Sequence, residues 1–229
     1  MTLRPQDFAE RFFFENAASY DHIARISTLG LDGWWKRKLL KRMPQAPQRI
    51  LEQASGTGIL TFKIARRFPN CRITAVELNE AYLNLARQKT RDLGLRNVEF
   101  IHGRAEDVVV PGEFDCIVSD YLAKYVDLDR LVTHAATMLR QGGILIMHEL
   151  TRPTHPLLLA LWNLHFSFLR AYGTWKHPEW SPAFNDVQSL LKETRWVKDL
   201  VRALAARGFS AIKVETQFLG ASVIVSARK

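Results

Sequence analysis

From residue 48 to about 150, short apolar runs alternate with longer stretches of helical periodicity, and this alternation restricts the fold more than any other feature of the chain. It predicts strand 48–54, helix 58–68, strand 71–77, helix 79–93, strand 97–102, strand 114–119, helix 127–139 and strand 143–149. Pro69-Asn70, Gly94, Pro111-Gly112 and Gly142-Gly143 fall between these elements, where the chain must turn. Strands separated by helices run mostly parallel with helices on both faces, so the expectation is an α/β, doubly wound sheet. The run Ile144–Met147 is apolar throughout, as a strand covered on both faces requires. Ala211–Gln217 and Ala221–Ala227 read as a hairpin around Leu219-Gly220. Coming after a helical region at 186–207, that hairpin adds an antiparallel edge to the sheet.

The flanks have a different character. Residues 4–27 read as helical, with Phe8, Phe12 and Phe13 apolar. Residues 33–43 hold the densest basic cluster, in which Trp35, Leu39 and Met43 share one helical face among Lys36, Arg37, Lys38, Lys41 and Arg42. Two readings stand for this helix: Trp residues packed inward, or an interfacial anchor on lipid headgroups. Residues 154–180 are crowded with Leu, Phe and Trp on nearly every face, more than one buried stripe needs. They suggest a lid that makes an apolar pocket or touches a membrane, with a plain core helix as the alternative. The expected division is therefore a helical cap over 1–47, a core over 48–153 and 181–229, and a lid over 154–180 within the same domain.

The chain has 229 residues, 47% of them hydrophobic, enough for a sizeable core. Cys71 and Cys116 read as small core residues, and neither their number nor their spacing suggests a metal site. The acidic residues near the N-terminus do not fit a signal peptide, and no apolar run reaches spanning length, so a cytoplasmic protein is expected. A formal net charge of +9 leaves nucleic acid, an anionic membrane surface or simple solubility as explanations.

The stretch Arg49–Thr61, R-I-L-E-Q-A-S-G-T-G-I-L-T, reads as a buried strand, a turn on Ser55, Gly56 and Gly58, and the first turn of a helix. Small residues let the backbone approach a ligand, and the helix start directs free N–H groups to the same place. Glu77 closes the second strand some twenty residues later, where open α/β sheets set an acidic side chain against ribose hydroxyls. A nucleoside-containing ligand follows from these residues alone.

Longer motifs narrow the ligand. A-A-S-Y-D (17–21), L-D-G-W-W-K-R (31–37), L-E-Q-A-S-G-T-G-I-L-T (51–61), L-N-E (78–80), F-D-C-I (114–117), L-R-Q-G-G (139–143) and H-E-L-T-R-P (148–153) together resemble class I S-adenosylmethionine-dependent methyltransferases. More narrowly they resemble the ubiquinone/menaquinone C-methyltransferases, with W-K-R and E-L-T-R-P the most specific pieces. The resemblance runs from about Ala17 to Ser226 and implies a Rossmann-like core with S-adenosylmethionine as cofactor. It implies that Gly56, Thr57 and Gly58 let the backbone approach the methionine and ribose, with Ser55 as the small residue beside them. Thr61 sits one turn into the helix at the cofactor. Glu77 accepts the ribose hydroxyls, Leu78 packs on adenine, Arg104 and Ala105 lie beside the base, and Ser119 faces the cofactor. On the same resemblance Glu52 would orient the loop and reach toward the sulfonium, and Tyr20 would close over the cofactor as a lid, with a buried core tyrosine as the alternative.

Several positions depart from the pattern. Ala54 replaces the first glycine of the loop. Arg104 replaces a short polar residue and, being donor-only, cannot accept from the adenine amino group. Lys124-Tyr125 replaces an Arg-Asn pair expected near the quinol ring. Methylating a ring carbon requires loss of a neighbouring hydroxyl proton, hence a base. Asp120, directly after the fourth strand, is the first candidate, followed by Tyr125, His148 and Glu149; Glu149 is alternatively an ion-pair partner for Arg152. The expected acceptor is a hydrophobic or amphipathic molecule, foremost a prenylated quinol-type ring, reached by an enzyme peripheral on the inner face of the membrane. The alternatives are N-methylation of a phospholipid headgroup or small amphipathic amine, modification of RNA, and a degenerate binding protein.

Overall fold

A computed structural model describes residues 17–229. The sequence elements condense into a seven-stranded sheet of order β3-β2-β1-β4-β5-β7-β6. Its strands are β1 (Arg49–Gln53), β2 (Arg72–Glu77), β3 (Val98–His102), β4 (Phe114–Asp120), β5 (Leu139–Leu150), β6 (Ser210–Gln217) and β7 (Ser222–Arg228). The first five pair in parallel, and β7 lies antiparallel between β5 and β6. Strand order reverses between β1 and β4, which makes their carboxyl ends the switch point where such sheets bind ligands.

Among the described residues eight helices surround the sheet: α1 (Tyr20–Ser27), α2 (Asp32–Arg42), α3 (Ile59–Arg67), α4 (Glu80–Asp92), α5 (Leu128–Met138), α6 (Pro156–Lys176), α7 (Ser181–Glu193) and α8 (Trp196–Ala206). Two of them start on short polar caps. Asn79 accepts from the Ala81 and Tyr82 N–H groups before α4, and Asp127 from Arg130 before α5, each relieving donors that a helix start leaves open. One apolar layer unites β4, β5 and β7 with α5 and α8; the other joins the opposite face of the sheet to α2 and α3. A third cluster, Ile23, Tyr125, Phe166, Leu169, Trp180, Phe184 and Leu191, binds α1, α6 and α7 together. Both cysteines are buried and free, as expected of core residues.

Four expectations change. The anticipated turn at 139–143 is part of β5. The ladder shifts register opposite Phe114–Cys116, and Gly142 takes φ +73 while its N–H reaches the Lys229 carbonyl at 3.0 Å. The C-terminal strand supplies partners this far along, so the glycines serve a bulge. The helical stretch 186–207 is two helices, broken where Thr194 leaves helical geometry and its hydroxyl meets the Trp196 N–H. Residues 33–43 do not form an exposed anchor, because Trp35 and Lys36 are 2% and 4% exposed and Leu39 is fully buried. Glu149 pairs with Lys124 rather than Arg152. The expected helix over 4–27 is seen from Tyr20 onward; Phe8, Phe12 and Phe13 lie outside the described residues.

Candidate functional site

The glycine turn is stitched to the second strand by its own backbone. The Ser55 N–H donates to the Val76 carbonyl at 2.9 Å, and the Gly56 N–H to Glu77 Oε2 at 2.7 Å. The other oxygen of Glu77 accepts from the Asn79 N–H at 2.8 Å. An ionised carboxylate has about four acceptor sites, so two such bonds fix its plane and leave capacity for a vicinal diol. Burial raises the Glu77 carboxyl pKa, while the N–H groups of Asn79 and Gly56 pull it back. Gly56 (φ +57) and Gly58 (φ +89) occupy left-handed backbone, and a Cβ on Gly56 would point at the Tyr20 ring. Ala54 takes φ +59 without being a glycine, as does Tyr121 at φ +61. These two strained residues directly follow β1 and β4, the strands that flank the switch point.

A cleft opens over these strand ends. Glu77, Leu78, Arg104 and Ala105 line the side over β2 and β3, Asp120 and Tyr125 the side over β4, and Tyr20 covers Gly56 between them. Glu52, Ser55 and Thr57 line its continuation beneath Tyr20. The structure thus brings eleven of the sequence-predicted residues to one cavity, counting Gly56 at its centre. Gly58, Thr61, Ser119 and His148 do not line it and stand behind its wall. The Thr61 and Ser119 hydroxyls, Ser55 Oγ and Glu52 Oε2 are buried without a hydrogen-bond partner, a cluster of polar atoms at the switch point. Burial pushes the Glu52 carboxyl up to about 8, and the nearby Thr61 hydroxyl opposes that shift without forming a well-shaped bond to it.

Thr57 has a further use, because its hydroxyl donates to Asp21, whose other oxygen pairs with Lys89 at 2.6 Å. That chain of contacts fastens α1 over the turn. Arg104 turns to Glu106 at 3.3 Å. Glu106 is itself buried and lines the cleft, placing an acceptor where the sequence offered only a donor.

The other end of the site is built from buried charge. Lys36 pairs with Asp32 one helical turn away and with Asp120 Oδ2 at 2.6 Å. Asp120 Oδ1 lies 2.6 Å from His148 Nδ1. Burial alone would raise Asp120, but Lys36 and then His148 hold it down at about 2. An ionised carboxylate only accepts, so Nδ1 carries the proton of that bond. Tyr121 donates to Asp32 at 3.0 Å, and its ring lies 4.9 Å from the Lys36 ammonium. His148 is fully buried behind the Trp35 and Tyr121 rings, at 5.3 and 5.4 Å. Asp120 therefore enters the site as a fixed anion with both oxygens engaged, a poorer base than its sequence position suggests.

A second pair, Lys124 Nζ to Glu149 Oε1 at 2.7 Å, is 3% and 0% exposed. The same ammonium stands 4.3 Å from the Tyr125 ring. Burial lowers the Lys124 pKa, and Glu149 only partly restores it.

Sequence reading missed Asp32, Lys36, Asn79, Glu106 and Tyr121. Lys36 lies within the W-K-R piece, but nothing in that run of Lys and Arg marks it as the residue that turns inward. Tyr121 is signalled only by following the last residue of β4.

Comparison with known proteins adds an independent line. The ubiE/COQ5 methyltransferase family matches residues 3–218. The ubiquinone/menaquinone biosynthesis C-methyltransferase UbiE of Shewanella halifaxensis (strain HAW-EB4) is 29% identical over 174 residues, covering 73% of this chain and 69% of the relative. The UbiE of Escherichia coli O1:K1 / APEC is 30% identical over 174 residues, with 73% and 69% coverage. Among solved structures, Haemonchus contortus phosphoethanolamine N-methyltransferase 2, in complex with S-adenosyl-L-methionine, superposes with TM-score 0.71 at 15% identity. That match covers 100% of this chain and 60% of the other. Geranyl diphosphate C-methyltransferase from Streptomyces coelicolor A3(2) gives 0.63 at 15% identity, covering 86% and 79%. At such identities the structural likeness speaks to the fold alone.

Proposed function

Because the chain belongs to the ubiE/COQ5 methyltransferase family and is an S-adenosylmethionine-dependent methyltransferase, we propose that it methylates a ring carbon of an apolar quinol-type acceptor bearing a prenyl chain. The observation that carries this reading is the two-ended cleft, with Glu77 and the glycine turn at one end, Leu122, Tyr125 and Val126 at the other, and Tyr20 over the turn between them. The polar end suits a nucleoside, and the aromatic and aliphatic end suits an apolar ring.

The residues present fit the cofactor. The left-handed Gly56 leaves room for close approach, and the unpartnered Ser55, Thr61 and Ser119 hydroxyls and Glu52 carboxyl supply polar partners. Glu77 would hold the ribose diol. Leu78 and Ala105 would flank the base, with Glu106 accepting from its amino group. Arg104 would act by orienting Glu106. Bound there, the cofactor supplies an electrophilic methyl group on a sulfonium.

At the acceptor end, Lys36 lines the cleft wall beneath Tyr20. With two of its donors on Asp32 and Asp120, the ammonium has a third to offer the oxygen of a ring hydroxyl that has released its proton to water; that oxyanion makes the adjacent carbon nucleophilic, and the ring proton displaced on methylation leaves to water in turn. Asp120, His148 and Asp32 hold Lys36 and Tyr121 in place, and Tyr125 forms the wall against which the ring packs. Apart from that positioning, catalysis is proximity and alignment. An acceptor of this kind resides in a lipid phase, so the reading carries with it a peripheral station at the cytoplasmic face of a membrane.

The test is to incubate the protein with methyl-labelled S-adenosylmethionine and, in parallel, reduced quinones from a lipid extract, phosphoethanolamine, and total RNA. Label is expected in the quinol fraction. Label in the amine or RNA instead, or in none of the three while the cofactor still binds, overturns the reading.

A further inference from the structure

Helix α6 carries two apolar faces. Phe166, Leu169 and Gly173 are buried against the rest of the protein. On the opposite side Leu157, Leu161, Leu164, Phe168 and Trp175 are 63%, 54%, 67%, 70% and 79% exposed. Their spacing of four, three, four and seven residues stacks them into a single stripe, roughly 60° wide at about 100° per residue. The helix contains no Asp or Glu. Exposed side chains of this size in one contiguous stripe mark a contact surface rather than ordinary surface composition.

Beside its first turn, where Leu159 forms one wall, lies an open groove of about 510 Å³. Four cations line it: Arg152 from the segment after β5, Lys192 from α7, Arg195 from the α7–α8 junction and Lys198 from α8. No carboxylate among the described residues lines the groove. Among the described residues none of the four side chains has an ion-pair or hydrogen-bond partner. Lys36, Arg42, Lys89, Lys124 and Arg140, by contrast, each meet a carboxylate. Four unpaired cations thus converge on one groove at the end of an acid-free apolar stripe.

We propose that this face docks on the surface of an anionic lipid bilayer, with the α6 stripe among the acyl chains and the groove cations on headgroup phosphates. No helix among the described residues is long and apolar enough to cross a membrane, so α6 lies in the plane of the surface. Charge decides against a second copy of this chain as the occupant. Packing two stripes antiparallel would set the cationic groove of one molecule near Lys176 of the other, with no acid on either helix to receive it. An anionic surface neutralises both ends. The buried face of α6 belongs to the cluster that includes Tyr125 and packs against Tyr20, so docking would hold the acceptor end of the cleft close to the lipid phase. The inference deepens the lipid-borne acceptor reading above, and its deciding readout, flotation, uses no acceptor.

The experiment is flotation of the full chain with extruded vesicles, either phosphatidylcholine alone or phosphatidylcholine with one third phosphatidylglycerol, at low and high salt. The wild type should float with the anionic vesicles at low salt. Leu164→Ser with Phe168→Ser should weaken binding on the order of tenfold. Arg195→Glu with Lys198→Glu should weaken it by at least as much, since each basic residue near such a surface contributes about 1 kcal/mol. Methyl transfer to a short-chain, water-soluble quinol should be unchanged in both variants, so loss of docking and failure of the acceptor reading are separable. Wild type left in the soluble fraction at low salt overturns the proposal. So does flotation that neither variant reduces. A dimer by light scattering that the stripe variant dissociates, without vesicle binding, assigns the face to a second copy. Loss of inorganic pyrophosphate binding in the groove variant, with flotation intact, assigns the groove to free phosphate.

Discussion

The two ends of the cleft are built on opposite principles. At the nucleoside end, backbone does the positioning: Ser55, Gly56 and Asn79 N–H groups lock the turn and Glu77 to β2, and the side chains involved are short. At the acceptor end, long side chains from distant parts of the chain meet as buried charges. Lys36 comes from α2, Asp120 from β4, His148 and Glu149 from β5, and Lys124 from the loop after β4. A backbone-built end depends on local sequence and tolerates little change. A charge-built end depends on partners that must be kept together, because a lone buried charge costs far more than a pair.

The largest effect that sharpens this contrast should come from Lys124→Met. It leaves Glu149 buried without its counter-charge and should cost roughly 3–5 kcal/mol in urea unfolding. Adding Glu149→Gln, which can still accept the Leu150 N–H, should restore more than half of the loss. Affinity for S-adenosylhomocysteine should stay within a factor of a few in the folded double variant. A large loss there would show the two ends to be one unit.

Glu77→Ala should have the converse signature. Removing a carboxylate that organises two N–H groups and faces the cleft should weaken S-adenosylhomocysteine binding roughly 10- to 100-fold by calorimetry, at about 1.5–3 kcal/mol per charged hydrogen bond.

A third test uses pH. The Glu52 carboxyl stands at about 8 in the fold against an ordinary value of 4.5. Between these values the unfolded chain has released this proton while the folded chain retains it, so this group's contribution to stability falls as pH rises through the window. Glu52→Gln should therefore gain stability over the wild type at pH 8 and little at pH 5, by urea unfolding. A cation beside Glu52 favours its ionised form. Binding of S-adenosylmethionine near pH 7 should then release more protons than binding of neutral S-adenosylhomocysteine, as measured by calorimetry in buffers of different ionisation enthalpy.

The smallest effect should come from Ala54→Gly. A left-handed alanine is strained by about 1–2 kcal/mol, and glycine returns about 0.4–1 kcal/mol to the unfolded chain. A net gain of about 0.5–1 kcal/mol should appear as a raised thermal midpoint.

The same contrast explains what was legible in the sequence. Strand–helix alternation, turn residues and caps are local, so the order of elements from 48 to 150 could be read with shifts of a single residue, except for β5, which starts four residues early. The glycine turn and Glu77 were legible because they are twenty residues apart in a pattern with a fixed geometric purpose. The β5 bulge at Gly142 was not, because its partner is Lys229 at the far end of the chain. Lys36 was hidden for a related reason. In a run of Lys and Arg nothing local distinguishes the one residue that turns inward, and only the arrival of Asp120 decides it. The stripe on α6 was visible as excess hydrophobicity, but which of its faces is free required the fold.

The account stands or falls on where the methyl group arrives. S-adenosylmethionine carrying a trideuteromethyl group, incubated with the enzyme and a reduced quinone, should yield a product whose deuterium NMR and fragmentation place the label on a ring carbon, with a ring hydrogen lost. Label on a ring oxygen, or a product formed only from an amine, would contradict it.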